Sequence, residues 1–186
     1  MTTKIRKDET LIVVALEQEL DKNDLVGWRV VYTGIGKVNA LIALGRAIRE
    51  KRPSKIINFG TAGSSRSELI GLHEVTLFKQ RDMDVRPLGF ELGETPLDEI
   101  NDINLERPGL SCATGDSFVN SSQDIDVDLF DMESYAIAKL CLIEDIDFSC
   151  FKYVSDNADG GASQDWKRNV ASGSSYFIEL LDSLYG

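Results

Sequence analysis

The chain has 186 residues, 42% of them apolar, with a net charge of −11. That length suits one compact domain spanning residues 1–186 with a real core, and that apolar content argues against disorder as a description of the whole chain. An acidic surface without a Lys/Arg cluster repels phosphate backbones and anionic lipids, so nucleic acid and membrane are excluded as partners.

In chain order, Met1 to Thr10 is polar and charged, reads as a flexible N-terminus and has no apolar leader segment. Leu11–Ala15 is a short run rich in β-branched residues, expected to be a strand buried on both faces. Trp28–Tyr32 is a second strand, running into Gly34 and Gly36. From Val38 to Lys51 the period becomes helical: Val38, Leu41, Ile42, Leu44, Ala47 and Ile48 form the expected buried stripe, and Pro53 closes the helix. Lys55–Asn58 is a third strand followed by a glycine loop, and Val75–Phe78 a fourth. Asp82–Arg107, with Pro87 and Pro96, reads as irregular. Leu110–Thr114 is a strand leading into Gly115-Asp116, Met132–Leu142 a helix, Phe148–Val154 a core strand and Tyr176–Leu184 a closing helix. Short buried strands alternating with helices predict an α/β fold, a mixed central sheet flanked by helices, with ligands bound beyond strand ends. Cys112, Cys141 and Cys150 are odd in number and lack metal spacing; with no leader and no run long enough to span a bilayer, the expected address is the reducing cytoplasm.

Carboxylates at the junctions of apolar runs are the chemically informative feature, because an ionised group there is costly without a task or a partner. Asp156, directly beyond the strand Phe148–Val154, is the best single candidate. Glu17 and Glu19 follow the first strand at i, i+2, so at most one faces a given pocket; a solvated first helical turn explains them equally. Asp131 and Glu133 have the same spacing and the same two readings. Thr33-Gly-Ile-Gly-Lys37 lacks the spacing of a phosphate loop or a dinucleotide fingerprint and fits a tight strand-to-helix turn. Asn58-Phe-Gly-Thr-Ala-Gly-Ser64 fits either turn chemistry or a floor for a flat ligand, with Thr61 as a hydroxyl handle. His73, the only histidine, has no nucleophile or ligand partner in the sequence and reads as structural.

Taken together, the segments resemble the purine nucleoside phosphorylase/nucleosidase superfamily, and within it the 5′-methylthioadenosine/S-adenosylhomocysteine nucleosidases. The resemblance rests on Ala15-Leu-Glu-Gln-Glu19, the two glycine segments, Asp82-Met-Asp-Val85 with Gly89-Phe-Glu-Leu-Gly93, Ala113-Thr-Gly-Asp-Ser-Phe118, Asp131-Met-Glu133 and Ser155-Asp-Asn-Ala-Asp159, in order over most of residues 11–160. It implies that Glu19 deprotonates an attacking water and that Asp156, helped by Ser155, protonates or hydrogen-bonds the leaving base. It further implies that Met132 and Glu133 hold the ribose, Phe118 stacks on the purine, the backbone of Val119 reads its edge, and Ile35, Thr61 and Gly63 line the sugar side. No metal or organic cofactor is required, and the implied assembly is a homodimer taking a small nucleoside. An oxocarbenium-like transition state suits these residue types, since one carboxyl protonates the leaving group while another stays ionised beside the sugar.

Hydrolysis is expected over phosphorolysis, because Asn58-Phe59-Gly60 stands where phosphorylases carry an R-x-G segment and bidentate arginines suit a phosphate. A phosphorylase and a nucleoside-binding protein without turnover are the alternative readings. The chain is shorter than family members between Asp21 and Trp28, Pro96 and Gly109, and Asn120 and Asp131. It also carries Phe130-Asp-Met-Glu133 for V-E-M-E, and Lys152 for the arginine before the Ser-Asp pair.

Overall fold

The computed structural model describes residues 6–121, 123–158 and 162–185. Residues 1–5 of the polar N-terminus, and Asp159 of the Ser155–Asp159 motif, lie outside them. The expectation of a flexible segment through residue 10 is corrected at its end: Lys7–Glu9 form a 3-10 turn, and Thr10 is buried as the first residue of a strand.

Eight strands form one mixed sheet. Strand β1 (Thr10–Val14) pairs in parallel with β2 (Arg29–Tyr32) and with β3 (Lys55–Ser64). β3 runs parallel to β8 (Asp147–Asp156) for nearly its whole length. Its far end, Gly63 and Ser64, pairs antiparallel with β7 (Leu129–Asp131). β7 pairs with β6 (Leu110–Thr114), β6 with β4 (Gly71–Gln80), and β4 returns antiparallel to β8. The path β3–β7–β6–β4–β8–β3 therefore closes on itself, with β1 and β2 as an extension from β3 and β5 (Ile103–Asn104) on β4. Closure brings the ends of β3, β6, β7 and β8 around one opening.

Helix α1 (Lys37–Glu50), α2 (Ser134–Ile143), α3 (Ala162–Asn169) and α4 (Ser174–Tyr185) complete the fold. Period-two alternation splits the core. Leu11, Val13, Ile56 and Cys150 face α1 and α2, while Ile12, Val14, Ile57 and Phe59 pack with Phe177 and Leu181 of α4. Phe59 and Phe177 stack at 4.4 Å. Each fully buried aliphatic of β1 contributes about 1.5–3 kcal/mol, which is why this run reads as a strand covered on both sides.

Three expectations are revised. The supposed glycine loop Asn58–Ser64 is the second half of β3, because β8 supplies hydrogen-bonding partners out to Gly63 with one register shift. In α1 the buried stripe is Ala40, Leu44, Ala47 and Ile48; Val38, Leu41 and Ile42 fall off it at 100° per residue and remain exposed. Glu17 and Glu19 sit in a turn closed by the Glu19 amide on the Leu16 carbonyl, not in a helix. The short β7 and the helix α3 had no clear sequence signal.

Candidate active site

The strand ends surround a cavity of about 270 Å³, near the lower end of the volumes typical of small-molecule sites. Ala15, Leu16 and Glu19 reach it from the end of β1, and Ile35 from the turn after β2. Thr61, Ala62 and Gly63 of β3 form one wall. Ser117, Phe118 and Val119 enter from the segment after β6, Met132 and Glu133 from the end of β7, and Ser155 and Asp156 from the end of β8. The ten residues to which the resemblance assigns roles all border this one cavity. His73 lies on β4 outside it, with its Nε2 2.8 Å from the Ile70 carbonyl.

Glu19 is buried, at 4% exposure, and its carboxylate is held by three donors. The Thr61 amide and hydroxyl each donate to Oε1 at 2.8 Å, and the Leu16 amide donates to Oε2 at 3.1 Å. The Thr61 hydroxyl also accepts the Trp166 indole N–H at 2.8 Å. It is therefore engaged with protein on both sides, donating to Glu19 and accepting from Trp166.

Asp156 is the last residue of β8 and is buried. Ser155 Oγ donates to its Oδ2 at 2.8 Å, and the Ala158 amide to its Oδ1 at 2.9 Å. Glu133 precedes the first residue of α2 without a side-chain bond to the helix, and its Oε1 accepts the Gly36 amide at 2.8 Å. Gly36 has φ of +95°, a conformation natural to glycine, which turns that amide toward the carboxyl. Burial, with Asp131 and Glu19 adding repulsion against a partial offset from Lys152 and the Gly36 amide, pushes Glu133 up to about 8.

Behind Glu133, Lys152 and Asp131 form an ion pair at 2.9 Å with both side chains 1% exposed. Burial opposes each charge. The pair outweighs it, with Thr114 Oγ1 donating to Asp131 at 2.6 Å and the Ser134 amide at 2.8 Å, so Asp131 is held below and Lys152 above its ordinary range. Asp131, which shared Glu133's two readings from sequence, thus faces an internal cation rather than solvent.

Sequence reasoning missed several wall residues. Trp166 and Lys167 come from α3, and Arg81 from the residue after β4. Arg81 donates to the carbonyls of Gly115 and Ser117 and to Ser117 Oγ, bracing the segment that carries Phe118. Only the fold brings these residues to the cavity.

No family model matches the chain. Among curated relatives, a 5′-methylthioadenosine/S-adenosylhomocysteine nucleosidase of Haemophilus influenzae (strain PittEE) is 28% identical, over 92% of this chain and 86% of the relative. One from Exiguobacterium sp. is 29% identical, over 72% and 69% respectively. Over most of its length the chain is similar to nucleosidases of the purine nucleoside phosphorylase/nucleosidase superfamily. The curated relatives it matches are nucleosidases. The superfamily's fold recurs in solved structures. The futalosine hydrolase of Helicobacter pylori superposes with a TM-score of 0.86 at 18% identity, covering 96% of this chain and 97% of that one. The Neisseria meningitidis 5′-methylthioadenosine/S-adenosylhomocysteine nucleosidase, in complex with methylthio-immucillin-A, superposes with a TM-score of 0.80 at 24% identity, covering 95% and 98%.

Proposed function

We propose that the cavity hydrolyses the N-glycosidic bond of a purine nucleoside of the methylthioadenosine/adenosylhomocysteine kind, releasing free base and sugar. The observation that carries this reading is the convergence of Glu19, Glu133 and Asp156, from three separate strand ends, on one largely apolar cavity. Asp156 donates a proton to the base as the bond between the sugar C1′ and the base nitrogen lengthens. Glu133 accepts hydrogen bonds from ribose hydroxyls beside Met132, and the growing positive charge on the sugar favours its ionised form. Glu19, held by three donors, takes a proton from water as the water oxygen bonds to C1′. General acid–base help of this kind is worth roughly 10²–10⁴-fold per group. Phe118 and Val119 receive the purine, while Ile35, Thr61 and Gly63 flank the sugar. No step needs a cofactor. A neighbouring depression of about 190 Å³ shares Ile35 and Met132 with the cavity and gives a 5′ substituent room.

Water is favoured over phosphate as nucleophile by Asn58 and Glu19. The Asn58 side chain is buried, donating to the Val13 carbonyl at 3.0 Å and accepting from Cys150 Sγ, so it offers an anion nothing. A carboxylate, Glu19, borders the cavity nearby. The protein acts as a homodimer in the cytoplasm. Support for the dimer is the apolar strip of Ile35, Val38, Leu41 and Ile42 beside the cavity mouth, and support for the compartment is three buried free cysteines. No helix among the described residues is long and apolar enough to cross a membrane.

Base release from methylthioadenosine, adenosylhomocysteine and unmodified purine nucleosides, measured with and without phosphate, tests the reading. Release independent of phosphate and fastest with the 5′-thio substrates is expected. Phosphate-dependent release would identify a phosphorylase, and binding without release a nucleoside sensor.

A further inference from the structure

Trp166 makes a contact that the chemistry proposed above does not use. Its indole N–H, which can only donate, points at Thr61 Oγ1 at 2.8 Å, and the same oxygen lies 2.8 Å from Glu19 Oε1. A threonine hydroxyl has one hydrogen and two lone pairs. With the indole occupying a lone pair, the hydroxyl hydrogen is directed to the Glu19 carboxylate. The Thr61 amide already donates to the same carboxylate oxygen, so Oε1 is fixed from two directions and Oε2 by the Leu16 amide. The helix that carries Trp166 is tied to the other side of the cavity as well. Asn169 Nδ2 donates at 2.9 Å to the carbonyl of Ser155, the residue before Asp156. The seat of α3 therefore touches the supports of both acids at once.

We propose that Trp166 is a positioning residue that orients Glu19 through the Thr61 hydroxyl, so that docking of α3 completes the water-activating group. The inference rests on Glu19 being the base that takes the proton from water. Trp166 also forms part of the cavity wall, and a wall acts on substrate affinity. A relay instead acts on the chemical step, and only through Thr61.

The test is base release from methylthioadenosine by the wild type, Trp166→Phe, Thr61→Val, the double variant and Glu19→Gln. Trp166→Phe keeps an aromatic wall and removes the donor. It is expected to lower kcat about tenfold with KM within about twofold, the scale of one lost hydrogen bond to a charge-linked acceptor. In the Thr61→Val background the same change should cost nothing further. Equal losses in both backgrounds, or a change in KM alone, would overturn the relay. The chain has two tryptophans, Trp28 and Trp166, so the indole N–H resonances are readily assigned. The Trp166 resonance is expected to move on Glu19→Gln, and a resonance that stays put overturns the relay even if Trp166→Phe does not fold. Turnover retained in Glu19→Gln would remove the underlying reading. Turnover lost there but intact in Trp166→Phe removes the positioning role alone.

Discussion

At Gly63 a methyl group would lie 2.7 Å from the Asp156 carboxylate, closer than real Cβ atoms come to a neighbour, and a tight 3.1 Å from the Ala158 Cβ. Glycine is present here so that the proposed acid can lie against β3. Gly63→Ala is expected to displace Asp156 and lower kcat about tenfold or more while the circular dichroism spectrum stays native. Glu19→Gln and Asp156→Asn should each lower kcat by about 10²–10⁴-fold with little change in thermal midpoint, because both replacements are isosteric. Near-normal turnover in either would show that the role is misassigned. Glu133 makes a pH prediction. Its folded-state value, raised to about 8 chiefly by burial, lies above the ordinary 4.5, so between those values the empty folded protein binds more protons than the unfolded chain. Its contribution to stability therefore falls as pH rises through that window, by an amount of order a few kcal/mol. Denaturant titrations from pH 5 to 8 should show this slope, and Glu133→Gln should flatten it.

The element that decides the ribose side is the pair of strands β7 and β8. Lys152, four residues before Asp156 at the end of β8, reaches Asp131 at the tip of β7, one residue before Met132. The ion pair anchors that tip, and so places Met132 and Glu133. Replacing one partner leaves a buried charge alone. Lys152→Met is expected to destabilise by about 3–5 kcal/mol in urea unfolding, while Lys152→Met combined with Asp131→Leu recovers much of the loss. Equal instability of the single and double variants would show that the pair is not what holds β7. β3 shows what was and was not legible at this scale. Lys55–Asn58 reads as a strand from its isoleucines, but Gly60–Ser64 carries only small residues. Its strand character comes from β8 and β7 on either side, which no local pattern reveals. Likewise α3 contains Trp166 within a polar run, and only its packing against β8 gives that tryptophan a site.

At the scale of the whole molecule, one side of α1 stays exposed among the described residues. Val38, Leu41 and Ile42 are 64%, 40% and 49% exposed, next to Ile35 at the cavity mouth. Contiguous exposed aliphatics on a chain of net charge −11 fit the homodimer proposed above. Light scattering after size exclusion is expected to give twice the 20.6 kDa chain mass, and Leu41→Glu with Ile42→Glu to give the monomer. A monomeric wild type would overturn the dimer.

By itself the sequence determined the α/β class, the two-faced burial of β1 and the candidate acid Asp156, while Glu19 and Glu133 were set apart from Glu17 and Asp131 only by the family resemblance. Apolar periodicity and the cost of placing carboxylates beside buried strands are local properties. Tertiary structure decided which of the acids at the cavity is paired with a buried cation inside the fold. Asp131 and Glu133 are two residues apart and equivalent on paper. One meets a lysine from β8 and the other opens into the cavity, because the closed strand ring brings Lys152 behind one and Gly36 beside the other. Partners more than twenty residues distant set those environments, and their positions are written in the packing rather than in the spacing.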